Sequence, residues 1–401
     1  MSASPCLVTI HGIGFQQPPI DGKPGYADEL HENLRTKLGE RLGDDPERPG
    51  EHGPVYVSSE VNGSLEQGLA RLDPGRPLAP AGKIAHVALV YSPSEPLKPR
   101  LGSVADTLIR AILAHNRYVS TLGGIRSALE DGWAALREKD GSARDGGEAR
   151  STLLPRNDLE PAHHHRRLTD LLPGHHANAP AEPGPLGTFR ALEDDMATYV
   201  ARNDLRERVR GFVQDVLLAL VTLTGTHEVS NLVLNAHSQG TMISWDVLCR
   251  MPFESWRGPW EEGRSVLHSY VTAGSPIRKY VDLFTWGEQV GQMRPALDGG
   301  VRWSNFWDRH DPVADPLNPA TAWRPGKPVE ERPPRDLGLL KSTDPATGDE
   351  RHVEIGDTLV DNVTNSSGGG LQAHDYWNNV EEFVGPLATI LMEADTAGAR
   401  A

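Results

Sequence analysis

Two features that are common in other classes of protein are scarce in this sequence: cysteine and long hydrophobic runs. The 401 residues include only Cys6 and Cys249, which fall in a predicted strand and a predicted helix. We therefore expect two buried thiols rather than a disulfide framework. The most apolar segment, residues 212–223, contains Gln214 and Asp215 and is shorter than the ~20 residues of a membrane span. The sequence therefore predicts no transmembrane segment.

Positive charge is also scarce. The 40 Lys and Arg residues are outnumbered by 55 Asp and Glu residues, which gives a formal net charge of −15. Because a broad nucleic-acid-binding surface needs clustered Lys and Arg, we expect no nucleic-acid partner. The first residues lack the basic segment and longer apolar segment of a secretory signal, so we expect a soluble, cytoplasmic protein.

Short apolar runs alternate with helical patterns along much of the chain. Predicted strands cover residues 6–10, 55–61, 84–91, 229–235, 267–272, 301–307 and 352–363. Predicted helices cover residues 26–42, 104–118, 125–138, 188–223, 239–249 and 376–392. This alternation predicts an α/β fold, with a mostly parallel central sheet and helices on both faces.

The pattern indicates one domain, residues 1–395, with two interruptions. Residues 92–187 form a helical and irregular insertion or cap, and residues 317–350 form a Pro-rich, charged excursion. We expect residues 396–401 to be a disordered tail.

Ser238 lies in a turn between a predicted strand and a predicted helix. A serine hydroxyl is a weak nucleophile at neutral pH unless a strained turn exposes it beside a base. The small residues Ala236 and Gly240 allow the strand and helix to pack closely while Ser238 projects from the corner. The alternative is an ordinary helix N-cap serine.

A second turn, His11-Gly12-Ile13-Gly14, follows the first predicted strand. From the residues alone, this turn could be a phosphate cradle. The dinucleotide-binding pattern fails, however, because Gln17 stands where a third glycine is required. We expect no cofactor.

Four places in the chain resemble the α/β-hydrolase superfamily, in particular its lipase and esterase branches. They are residues 11–14, the Ser238 turn, Gly274-Ser275-Pro276, and the pair 311–313 with 373–377. Ser238, Asp311 and His374 occur in the family's order. The resemblance implies a nucleophilic Ser238, a general base His374 and an acid that orients it. It also implies an oxyanion hole formed by the backbone N–H groups of Ile13 and Gln239. We assign the Gly-Ser-Pro turn no catalytic role.

More than one aspartate is a candidate for the acid. We favour Asp311, which follows a predicted strand and is followed by Val313 as in the family pattern. Asp308 is the alternative because it lies even nearer the strand end, and Asp315 is a more distant third.

Most of the 16 histidines have no catalytic interpretation. Residues 163–165, 175 and 176 are histidines in a Pro- and Gly-rich stretch that lacks the spaced, rigid ligands of a zinc site. We expect a solvated loop there and no metal. His237 and His310 flank site residues, and we expect them to shape turns.

The sequence therefore predicts a serine hydrolase that cleaves a small-molecule or lipid-like carboxylic ester through an acyl-enzyme. An acyltransferase, thioesterase or amidase could use the same residues, and a binding protein could retain the fold without catalysis. By the family resemblance, the insertion 92–187 is a possible lid or acyl pocket; alternatively, its apolar helix faces pack on the core.

Overall fold

The computed structural model of the protein describes residues 4–12, 19, 24–45, 52–58, 69–72, 75–91, 199, 203–224, 229–251, 266–278, 301–311, 313–318, 341–343, 350–352, 355–366 and 372–399. Several sequence predictions fall outside these residues. They are the insertion 92–187 with its histidine cluster, the oxyanion residue Ile13, residues 188–198 and 200–202 of the predicted helix 188–223, and residues 319–340 and 344–349 of the Pro-rich excursion.

Seven strands form one parallel sheet. The strands of the described chain are β1 (Ser4–Ile10), β2 (Val55–Ser58), β3 (Ala85–Val90), β4 (Val229–His237), β5 (Leu267–Ala273), β6 (Arg302–Asp308), β7 (Lys341–Thr343), β8 (Glu350–His352) and β9 (Ile355–Val360). The sheet has the order β2-β3-β1-β4-β5-β6-β9, and β7 and β8 form a separate antiparallel pair. The predicted α/β class with a mostly parallel sheet is confirmed. The last predicted strand was too long: His352 belongs to β8, and the sheet strand covers only residues 355–360.

The described α-helices are α1 (Asp28–Leu38), α2 (Asn203–Thr224), α3 (Gln239–Leu248), α4 (Asn362–Asn365) and α5 (Gly385–Ala399). A π-helical turn, Val380–Val384, leads into α5. α5 includes residues 396–399, the first part of the segment for which a disordered tail was expected. Across the described helices, none combines the length and apolarity that crossing a membrane requires.

Hydrophobic cores lie on both faces of the sheet, because alternate strand residues point to opposite sides. Leu232, Leu234 and Ala236 of β4 belong to the core that includes residues of α2 and α3. Val233 belongs to the other core, which includes residues of α1 and α5. Cys6 and Cys249 are both buried in the first core, as expected, and neither is part of a disulfide. The central strands are thus buried on both faces, which their continuous apolar character predicted.

The direction in which the sheet is built changes between β1 and β4. In the sheet, β3 and β2 lie on one side of β1. The later strands β5, β6 and β9 follow one another on the other side, beyond β4. Ile10 of β1 pairs with Ala236 of β4, so the segments that follow these two strands emerge side by side. In open parallel sheets, ligands bind at the carboxyl ends of the strands at such a switch point.

A row of polar side chains crosses the core between α1 and the sheet. Asp44 Oδ1 lies 3.3 Å from His31 Nε2, the Nδ1 atoms of His31 and His86 lie 3.0 Å apart, and His86 Nε2 lies 2.8 Å from Thr9 Oγ1. The Thr9 hydroxyl accepts a bond of 3.5 Å from the Asn235 amide. Because a carboxylate only accepts hydrogen bonds, neutral imidazole rings allow one donor direction for every bond in this row. His31 donates to Asp44, His86 donates to His31, and Thr9 donates to His86. Burial lowers the pKa of both histidines, that of His86 well below its usual value.

Candidate active site

Ser238 occupies a strained turn between β4 and α3. Its φ of 55° and ψ of −133° make it the single non-glycine residue with positive φ in the described segments. Such a conformation costs free energy and is characteristic of functional turns. The Ser238 side chain makes no N-cap bond to α3, and its buried Oγ has no hydrogen-bond partner. The geometry therefore fits the strained turn of the sequence prediction better than an ordinary N-cap.

Small residues lie on both sides of this turn. A Cβ added to Gly240 would meet the main chain of Ile10, and it would lie 2.8 Å from the carbonyl oxygen of His11. Ala236 is fully buried at the end of β4. A larger residue at position 240 would therefore push α3 away from the end of β1.

A network of hydroxyl groups holds the first turn of α3. The Thr241 hydroxyl donates to the Ser238 carbonyl oxygen over 2.7 Å and lies 3.0 Å from Ser275 Oγ. The Tyr270 hydroxyl donates to the Thr241 carbonyl oxygen over 3.0 Å. The Gly-Ser-Pro turn, which received no catalytic role, thus supports the Ser238 turn through Ser275. This contact could not be predicted from sequence because the two hydroxyls lie 34 residues apart in the chain.

His374 is hydrogen-bonded to Asp311. Nδ1 of the ring lies 2.7 Å from Asp311 Oδ2, and both side chains are buried. Asp311 Oδ1 accepts the N–H of Val313 over 2.8 Å, and Oδ2 also accepts the Tyr376 hydroxyl over 2.9 Å. Because an ionised carboxylate only accepts, the His374 hydrogen lies on Nδ1 and Nε2 is a free acceptor. His374 Nε2 is buried and has no partner.

Asp308, the alternative acid, has a different set of partners. Its carboxylate accepts the backbone N–H groups of His310 and Asn362, each over 2.7 Å. His310 Nδ1 also lies 3.3 Å from it, on a largely exposed ring. Asp308 is the last residue of β6, and these hydrogen bonds hold the loops that follow β6 and β9. Asp311 is the aspartate that is hydrogen-bonded to His374. Asp315, the third candidate, donates its backbone N–H to the Ser275 carbonyl oxygen over 3.3 Å.

His374 lies over the end of β5, beside the Ser238 turn. The Ser238 N–H donates to the carbonyl oxygen of Ala273 over 2.9 Å. The next residue, Gly274, has φ of 61°, and a Cβ there would lie 2.7 Å from His374 Cε1. On the other side, His237 Nε2 donates to the His374 carbonyl oxygen over 3.0 Å. These contacts fix the histidine loop to the residues flanking Ser238, although Ser238 Oγ and His374 Nε2 do not hydrogen-bond to each other.

Backbone groups from β1 and α3 border the Ser238 hydroxyl. A Cβ added to Gly12 would lie 3.4 Å from Ser238 Oγ and 3.4 Å from the backbone nitrogen of Gln239. Gln239 is the first residue of α3, and N–H groups at a helix N-terminus attract negative charge. The described half of the predicted oxyanion hole, Gln239, therefore lies beside Ser238.

Two further histidines surround the site in neutral form. The pKa of His11 is lowered to about 4, mainly by burial; the hydrogen bond to the Gly12 carbonyl opposes this shift, and the nearby His374 adds to it. Burial also lowers the pKa of His237 well below its usual value. The His11 and His237 ring centroids lie 4.7 Å apart, and Trp377 packs 5.0 Å from His11. His237 thus shapes the turn through its bond to the His374 loop.

Within the described ranges, the His, Cys, Asp and Glu side chains form no group of three or more that could hold a metal ion. No protein-family model, curated protein or solved structure matches the chain. The parallel α/β sheet and the geometry of its carboxyl edge are therefore the observations from which a function is inferred.

Proposed function

We propose that this protein is a serine hydrolase of the α/β-hydrolase type that cleaves carboxylic esters. One observation carries the proposal: the buried Asp311–His374 pair, with an acceptor nitrogen left free, lies beside a strained serine whose hydroxyl has no partner. A nucleophile, a base and a group that orients the base are the three parts of a serine hydrolase site. Each comes from the carboxyl end of a strand or the loop that follows one, as the sheet topology favours.

In the proposed mechanism, His374 Nε2 removes the Ser238 proton as Oγ attacks the ester carbonyl carbon. The carbonyl oxygen becomes an oxyanion, which the N–H of Gln239 stabilises, with the N–H of Ile13 expected as the second donor. The protonated His374 then gives its proton to the leaving alkoxide, and the alcohol departs from an acyl-Ser238. Water attacks the acyl group, His374 accepts its proton and returns it to Ser238, and the carboxylic acid is released.

Asp311 has two effects in this cycle. Its bond to Nδ1 holds the tautomer in which Nε2 is the acceptor, and its charge stabilises the imidazolium that forms in each half-reaction. The structure does not contain a hydrogen bond between Ser238 and His374; we expect it to form in the complex with substrate, since catalytic hydrogen bonds tighten in the reacting complex.

The strain at Ser238 argues against a binding protein without catalysis. A positive φ at a serine and two buried polar atoms without partners each cost free energy, and a scaffold would be more stable without them. An acyltransferase, thioesterase or amidase would use the same steps with a different leaving group or acceptor. Product analysis with competing alcohols and amines separates these reactions.

A fluorophosphonate probe tests the nucleophile without knowledge of the substrate. We expect covalent labelling of the wild-type protein at Ser238, identified by peptide mass spectrometry, and no labelling of Ser238→Ala. Ser269→Ala is the matched control, because Ser269 is also a buried serine but lies in β5 away from its carboxyl end. It should label like wild type. A folded wild-type protein that does not react at Ser238 would contradict the proposed function.

A further inference from the structure

Tyr376 connects the two aspartates that compete for the role of acid. The side chain is fully buried, and its hydroxyl lies 2.9 Å from Asp311 Oδ2 and 2.9 Å from the backbone nitrogen of Asp308. An N–H can only donate, so the phenol oxygen accepts from Asp308 and its own hydrogen goes to Asp311. The Asp311 oxygen that receives this hydrogen is the same one that His374 Nδ1 contacts.

We propose that Tyr376 is a positioning residue that orients the Asp311 carboxylate and limits its attraction for the His374 imidazolium. The inference rests on the proposed function, because it concerns how the proposed base is tuned. It assigns a role to a residue that touches neither substrate nor Ser238.

The physical reason is that one carboxylate oxygen serves two donors. A hydrogen bond to a charged acceptor stabilises the charge, so the phenol makes Asp311 a weaker partner for a cation on His374. Without the hydroxyl, Asp311 would stabilise the imidazolium more strongly. His374 would then stay protonated to higher pH, so a higher pH would be needed before it could activate Ser238 as a base.

The surroundings of Tyr376 keep it in this role. Burial, and then the charge of Asp311, raise the pKa of the phenol well above its usual value, so the hydroxyl keeps its hydrogen. Its ring packs edge-on against His374 and Phe383, each with centroids 6.1 Å apart. A Cβ at Gly274 would lie 3.0 Å from Tyr376 Cε2, so the residue that follows β5 also bounds the ring.

The other titratable groups around His374 do not share this role. His11 after β1 and His237 at the end of β4 have pKa values lowered by burial, so both rings are neutral near pH 7 and place no positive charge beside His374. Asp375, the next residue, is bonded to the Ser366 hydroxyl over 2.6 Å and to the Asn378 amide over 3.0 Å. Asp308 is bonded to backbone N–H groups instead of to His374.

The test measures the second-order rate of fluorophosphonate labelling against pH in wild type, Tyr376→Phe and Tyr199→Phe. We expect the acidic limb of the Tyr376→Phe profile to move upward by about 0.5 to 1 pH unit, which is a fraction of the strength of one charge-assisted hydrogen bond. Tyr199→Phe is the matched control, since Tyr199 also donates a buried 2.9 Å bond to a carboxylate, that of Asp246, on the α3 side of the molecule. Its profile should match wild type.

Each outcome separates the two proposals. If wild type labels at Ser238 and Tyr376→Phe has an unmoved acidic limb, the positioning role is wrong and the serine hydrolase stands. If wild type does not label, the proposed function fails first. If Tyr376→Phe does not fold, 3-fluorotyrosine introduced at position 376 keeps the ring and both bonds but donates more strongly. The acidic limb should then move downward, and an unchanged or upward position would overturn the inference.

Discussion

Replacing Gly274 with alanine should inactivate the site with only a moderate loss of stability. The added Cβ would lie 2.7 Å from His374 Cε1 and 2.9 Å from Nδ1, whereas carbon atoms in contact keep ~3.5 to 4.0 Å apart. The imidazole must therefore move by about 1 Å, away from its place above the end of β5. A misplacement of this size lowers the rate of a positioned reaction by about 100-fold.

The same substitution also strains the backbone. An alanine at the φ of 61° that Gly274 adopts should lower the free energy of unfolding by about 1 to 2 kcal/mol. Gly39→Ala is the matched control, because Gly39 has a similar φ of 57° and a Cβ there would meet nothing within 4 Å. The control should lose comparable stability without displacing any side chain.

Fluorophosphonate labelling and thermal unfolding, measured on both variants, separate the two effects. We expect Gly39→Ala to label at the wild-type rate and Gly274→Ala to label about 100-fold more slowly. Both should remain folded at 25 °C. A folded Gly274→Ala protein that reacts as fast as wild type would refute the reasoning, because the ring that the Cβ displaces would then not be the base.

Two further predictions concern the acid and the buried histidines. Asp311→Asn should slow labelling by about 10³-fold or more, because an amide can hold the wrong His374 tautomer. Asp308→Asn should instead lower the free energy of unfolding by about 1 to 3 kcal/mol and keep labelling within about tenfold of wild type. The reverse result would make Asp308 the acid. Separately, urea unfolding should show stability falling as pH drops below ~6.5. Below this pH, His86 and His237 are protonated in the unfolded chain. In the folded protein they stay neutral, because burial lowers their pKa values. The expected slope is about 1.4 kcal/mol per pH unit for each histidine, and equal stability at pH 7 and pH 5 would contradict it.

The sheet could be predicted from sequence because its signal is local. Buried parallel strands are continuous apolar runs, and six of the seven predicted strands agree with the sheet to within a few residues. The exception, 352–363, joined a residue of β8 to β9 because alternating character does not show which sheet a strand enters. The end of α5 was missed for the opposite reason: residues 396–399 carry no apolar periodicity, and a formed helix extends through them at little cost.

The candidate site was predictable only in part. Asp308 and Asp311 could not be ranked firmly from sequence because both follow the same apolar strand. Asp308 is in fact its last residue, and its carboxylate caps the loops that follow. Tyr376 and Ser275 lie in two segments that carry the family resemblance, 373–377 and 274–276, but nothing in those segments indicates their partners, which are 65 and 34 residues away. Only tertiary structure brings such pairs together.

The polar row from Asp44 to Asn235 also bears on how uniquely this protein folds. It joins α1, β1, β3 and β4, and every bond in it has one permitted direction. Apolar side chains alone would let α1 shift along the sheet with a modest loss of contact. A shift of one helical turn would separate His31 from both Asp44 and His86 and leave buried ring nitrogens without partners, which is a far larger penalty. We therefore expect these hydrogen bonds to favour one position of α1 on the sheet among several that hydrophobic packing alone would allow.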